Sequence, residues 1–112
     1  MQLEPRADLL TEVTIQHLPT IRWFKSNWMD LVFETNKKGE CVEFSIFYRE
    51  VEDNFNIEWN GNQFFFSQNE SNLNHPDSTL KEAIFLIENF GEKVPVEVVE
   101  FITSRLSTAI SF

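Results

Sequence analysis

The segment NFNIEWNGNQFFFSQ, Asn54 to Gln68, sets an Asn-Gly pair between two apolar-rich runs and places three phenylalanines in succession. Asn-Gly is a strong hairpin signal, because a type I′ turn needs positive φ at both central positions. With Asn60-Gly61 as a two-residue loop the register follows: Trp59 opposite Asn62, Glu58 opposite Gln63, Ile57 opposite Phe64, Asn56 opposite Phe65, and Phe55 opposite Phe66. Side chains alternate along a strand. One face therefore carries Phe55, Ile57, Trp59, Phe64 and Phe66, and the other carries Asn56, Glu58, Gln63 and Phe65. The three rings divide two to one.

Upstream, DLVFET and CVEFSIFYREV flank KKGE and read as two more strands joined by a Gly-containing turn. Alternation puts Val42, Phe44, Ile46 and Tyr48 on one side of the second of these, and Glu43, Ser45, Phe47 and Arg49 on the other. The four strands form an antiparallel meander. Downstream, SQNESNLNHPD is a polar loop. DSTLKEAIFLIENFG then predicts a helix, with a capping-box match from Thr79 to Glu82 and a stop at Gly91. VPVEVVEFITSRLSTAI predicts a second helix, with Pro95 in its first turn, Glu97 and Glu100 early and Arg105 late, an order that suits the helix dipole. At the other end, ADLLTEVTIQHL predicts a helix over 6–17, with Leu10, Val13 and His17 on one face, although EVTIQ also alternates like a strand. TIRWFKSNWMDL follows as a second helix or an irregular arm. The expected fold is α+β: a four-stranded antiparallel meander, two C-terminal helices packed on one face, and an N-terminal helix or arm, in one domain spanning 1–112.

Eighteen acidic residues oppose nine basic ones, a net charge of −9. Such a surface repels nucleic acid and anionic membrane and attracts basic partners. The first eighteen residues carry Glu4, Asp8 and Glu12 without an apolar run, and no later stretch approaches a membrane span, so a cytoplasmic setting is expected. The lone Cys41 excludes an internal disulfide framework.

Signals for chemistry are sparse. His17, His75 and Cys41 match no zinc spacing. Gly39, Gly61 and Gly91 each serve a turn or a helix end, which leaves none for a phosphate-binding loop. Most carboxylates fall at turns or helix starts. The chain is expected to be a non-enzyme with no cofactor and no metal. Aromatic-rich sheets can stack bases, but here Glu43, Glu58 and Asp53 interleave the aromatic strands where a nucleic-acid site needs a basic groove.

The polar sheet face carries two aromatic exceptions, Phe47 and Phe65. Fully burying a Phe contributes roughly 1.5–3 kcal/mol, so two wet rings lower stability unless something covers them. Either the N-terminal arm covers them with Trp23 and Trp28, or they are anchors in a binding surface ringed by Glu34, Glu43 and Glu58. From Glu40 to Glu58 six acids (Glu40, Glu43, Glu50, Glu52, Asp53 and Glu58) face one base, Arg49. A solvated turn accounts for such a run, and so does a docking site for a Lys/Arg-rich partner.

In its acidic run ECVEFSIFYREVEDNFNIEW and its overall character, the chain resembles small bacterial immunity proteins, such as those of contact-dependent growth inhibition systems. The resemblance implies a protein that is monomeric until it binds and neutralises a cognate toxin, a basic nuclease, by occluding its active site. Glu43, Glu50, Glu52, Asp53 and Glu58 would supply the electrostatics and Phe47 and Phe65 the packing. Two alternatives share this character: a dimeric secretion chaperone for an effector, and a phage-encoded acidic inhibitor that mimics nucleic acid.

Overall fold

Alternating β-branched and aromatic residues fit a pleated, half-buried surface, and this pattern extends further toward the N-terminus than the hairpin signals alone show. The computed structural model describes residues 9–15, 20–49, 54–68, 71–72 and 77–110. Its strands are β1 (Thr11–Val13), β2 (Ile21–Lys25), β3 (Met29–Thr35), β4 (Cys41–Arg49), β5 (Asn54–Trp59), β6 (Phe64–Gln68) and the two-residue β7 (Ser71–Asn72). They form one antiparallel sheet in sequence order, so each strand neighbours the next. Helices α1 (Asp77–Phe90) and α2 (Val96–Thr108) follow. The α+β class, the meander and the two C-terminal helices match expectation. The sheet is wider than four strands.

The extra strands replace the expected N-terminal helix and arm. Leu10 is buried in the core, and its N–H donates to the Phe90 carbonyl at the end of α1 (2.9 Å). Thr11–Val13 then pairs with β2. The remainder of the expected helix, 6–8 and 16–17, lies outside the described residues. In β2 the polar and apolar roles are inverted, which hides the strand: Arg22 shares a face with Phe24, while Trp23 points the other way. Arg22 makes a two-pronged ion pair to Glu12, Nε to Oε2 at 2.8 Å and Nη2 to Oε1 at 2.9 Å. Its guanidinium lies over the rings of Phe24 and Phe33, at 5.2 and 5.9 Å. This arrangement joins β1 to β2 beside the core.

Helices α1 and α2 pack on the face that carries Phe24, Leu31, Phe33, Phe44, Ile46, Phe55 and Ile57, and they contribute Leu80, Ala83, Ile87, Val98, Ile102 and Leu106. At one side of this core Trp59, Phe44, Phe64 and Phe66 touch in turn, stacked in the first and last pairs and edge-on between Phe44 and Phe64, with Phe101 of α2 edge-on to Trp59 at 5.2 Å. The Arg105 guanidinium covers Phe101 and Trp59 from outside, at 4.8 and 5.5 Å.

Helix α1 starts two residues before Thr79, so the expected capping box does not form. Glu82 instead accepts a hydrogen bond from the buried Tyr48 hydroxyl on β4 (2.6 Å). Pro95 stands at the N-cap of α2, where its missing N–H costs nothing, and its carbonyl receives the Val98 and Val99 N–H groups. Between the helices Gly91 is obligatory, since a Cβ there would collide with the Ile87 carbonyl oxygen.

The hairpin register differs from expectation by two residues. Trp59 pairs with Phe64, Glu58 with Phe65 and Ile57 with Phe66. The loop lengthens because the Asn60 side chain organises it: Oδ1 accepts from the N–H groups of Asn62 and Gln63, both at 2.9 Å. A shift of two preserves side-chain parity, so the division of the three rings stands. Phe64 and Phe66 stack at 5.5 Å on the helix side, and Phe65 points away.

Candidate functional site

The opposite sheet face has no helix on it among the described residues. Cross-strand pairing aligns its side chains in rows. One row runs Val13, Trp23, Val32, Ser45, Glu58, Phe65. The next runs Thr11, Lys25, Asp30, Phe47, Asn56, Ser67. Phe47 is 37% exposed and Phe65 48%, against 3% for Phe44 on the helix side.

The expected cover is absent among the described residues. Trp23 is part of the sheet, four strand spacings from Phe65, or about 19 Å. Trp28 sits in the turn between β2 and β3, half exposed. That turn is closed by Ser26, whose Oγ accepts from the N–H groups of Trp28 and Met29, both at 3.1 Å. Neither indole reaches across to Phe65.

Charge on this face is divided. Toward the β2–β3 turn, Arg49 Nη2 meets Asp30 Oδ1 at 3.0 Å and donates to the Ser26 carbonyl at 2.7 Å, and the guanidinium lies 5.9 Å from the Phe47 ring centre. Lys25 Nζ lies over the Trp23 ring. Both cations are engaged locally. At the other end Glu34 and Glu43 are direct cross-strand partners, and Glu58 lies diagonal to Glu43 on the next strand. No described cation makes an ion pair with any of the three. Like charges directly opposed across a ladder are destabilising.

The acidic end is concave. A depression of about 280 Å³ opens over β2 to β5, lined by Ile21, Val32, Glu34, Glu43, Ser45, Glu58 and Asn60 among others. Its shape follows from two local features. The β3–β4 register shifts between Glu34 and Thr35, so Thr35 faces Cys41. This bulge breaks the alternation expected of β4: Cys41 turns inward and Val42 is exposed, although Val42 was expected beside Phe44. The Gly61 turn closes on the same corner, where a Cβ would stand 3.0 Å from the Val42 carbonyl oxygen.

Of the residues expected to bind a partner, Glu43, Phe47, Glu58 and Phe65 share this open face. Glu50, Glu52 and Asp53 lie outside the described residues, as do His17 and His75. Ile21, Val32 and Asn60 line the depression and were not anticipated, because Ile21 falls in the segment that reads as an arm. Cys41 is a buried thiol on the core side of the sheet, with S–H directed to the Glu43 carbonyl at 3.6 Å. Burial pushes its ionisation up to about 11, so it stays protonated near neutral pH. Among the described residues no group of His, Cys, Asp and Glu is placed to hold a metal ion, and no helix is long and apolar enough to cross a membrane.

No known protein family matches the chain, and no curated protein or solved structure matches it.

Proposed function

We propose that the chain is a binding protein of the immunity type, which neutralises a basic protein partner by laying its open sheet face over the partner's functional surface. The observation that carries this reading is the pairing, on one sheet face with no helix over it among the described residues, of two exposed aromatic rings with carboxylates that no described cation pairs with. Aromatic anchors near the centre of a patch supply most of the energy of an interface, and a charged surround supplies specificity and rapid encounter. With a net charge of −9 the molecule as a whole adds long-range attraction for a cationic partner. A nuclease cleft, cationic because it grips phosphates, is the kind of surface such a face would occlude. The reading assigns no reaction to the chain.

Co-expression with the product of the adjacent gene, followed by affinity capture, tests it. A stoichiometric complex is expected, lost in F47D/F65D and weakened by salt. A complex indifferent to both phenylalanines would remove the sheet face from the proposal.

A further inference from the structure

The geometry points to a fixed orientation of the partner on the open sheet face: a partner arginine seated in the depression over β2–β5, and the partner's apolar residues resting on Phe47 and Phe65. This inference rests on the protein-binding reading above and adds the chemistry and polarity of the contact.

The depression, about 280 Å³, falls just below the roughly 300–1,000 Å³ of small-molecule pockets. It suits one long side chain better than a cofactor. Its walls are of two kinds. Ile21 and Val32 offer apolar surface to an alkyl stem, while Glu34, Glu43 and Glu58 offer acceptors to the head at its end. The three carboxylates are not placed to share a metal ion. They extend from three successive strands, so acceptors surround the depression from more than one side. A planar guanidinium with five donors can serve separated carboxylates at once, and it sheds water more readily than the point charge of lysine.

Polarity follows from the contrast between the two ends. Asp30 already has Arg49, so a partner cation placed there would have to displace an internal one. Glu34 and Glu43 are held opposite each other with no described cation, and an arriving guanidinium would relieve that repulsion. The corner is also braced, because the bulge at Val42 and the Gly61 turn pack together beside it. Bulges of this kind re-aim side chains at the edges of functional sites. Complementary charge thus selects the acidic end for the arginine and leaves the aromatic strip for packing.

The isotope-labelled full chain, titrated at low salt with capped nona-arginine and separately with capped nona-lysine, provides the test. The arginine peptide is expected to bind several-fold more tightly and to shift the backbone amides of Ile21, Val32, Glu43 and Ser45 most. E34Q/E43Q should weaken it about tenfold, as expected for loss of charge-assisted hydrogen bonds. E97Q/E100Q, which removes the same charge from the exposed side of α2, should change it less than about twofold, since screened surface charge acts weakly. Equal binding of the two peptides, shifts centred elsewhere, or equal weakening by the two double variants overturns the inference. In partner capture, a complex that survives E34Q/E43Q but not F47D/F65D removes the arginine seat and keeps the docking face. A complex that survives both removes the face itself.

Discussion

Tyr48 on β4 donates to Glu82 on α1 across the sheet–helix boundary, Oη to Oε1 at 2.6 Å. The phenol is buried, whereas the carboxylate is on the exposed side of the helix, so a water can replace Tyr48 at Glu82 more easily than the reverse. Tyr48→Phe removes the donor and leaves the exposed Glu82 carboxylate to water, and should cost about 1 kcal/mol in urea unfolding. Glu82→Ala should cost at least as much, because it leaves the buried hydroxyl short of this acceptor. Equal stability of Tyr48→Phe and the parent would show that the bond contributes nothing.

Gly61 and Gly39 both have positive φ, +97° and +84°, but only Gly61 faces a close neighbour. Gly39→Ala should cost about 1–2 kcal/mol, the conformational penalty alone. Gly61→Ala adds the encounter with the Val42 carbonyl oxygen and should be the more destabilising of the two by thermal or urea unfolding. The opposite ranking would contradict the packing of the turn against the β4 bulge.

Phe47 and Phe65 are exposed, so their substitution by Ser should change stability by less than about 1 kcal/mol. Phe44→Ala, three residues before Phe47 and on the core side of β4, should cost about 3–5 kcal/mol. A large loss of stability in Phe65→Ser would mean that this ring is part of the architecture.

Cys41 holds its proton more tightly folded than unfolded, because burial raises its ionisation to about 11 from an unperturbed value of about 8.5. Its contribution to stability is therefore complete below the unfolded value. It declines as pH rises toward 11, where the unfolded thiol ionises and the folded one does not. The stability difference between the parent and Cys41→Ala should shrink across that window and be flat between pH 6 and 8. Alkylation of the native chain at pH 7.5 should be slow and should accelerate on unfolding.

The central strands and both helices were legible because each announces itself through a local period. Phe44, Ile46 and Tyr48 recur every second residue, and Leu80, Ala83 and Ile87 follow the helical spacing. β2 was not legible, since Arg22 lies on the core side and Trp23 on the open side, reversing the usual code. That reversal is tolerated because Arg22 is paired with Glu12 on β1 and lies over Phe24 of its own strand and Phe33 on β3, and two of these three partners come from other strands. The site was half legible. Phe47, Phe65, Glu43 and Glu58 could be assigned to one face from alternation, but Ile21 could not be joined to them without knowing that β2 extends the sheet.

The sequence by itself determined which way Phe64, Phe65 and Phe66 point, because parity along a strand is a property of backbone geometry and survives any even shift of register. Only the tertiary structure decided how far the strands slide, where the Val42 bulge breaks the alternation, and that Trp23 joins the sheet instead of covering it. Those outcomes depend on long-range competition, between Asn60 organising a longer loop and the tighter turn its pairing with Gly61 favours, and between strand pairing and helix for the N-terminal residues. No local period encodes the winner.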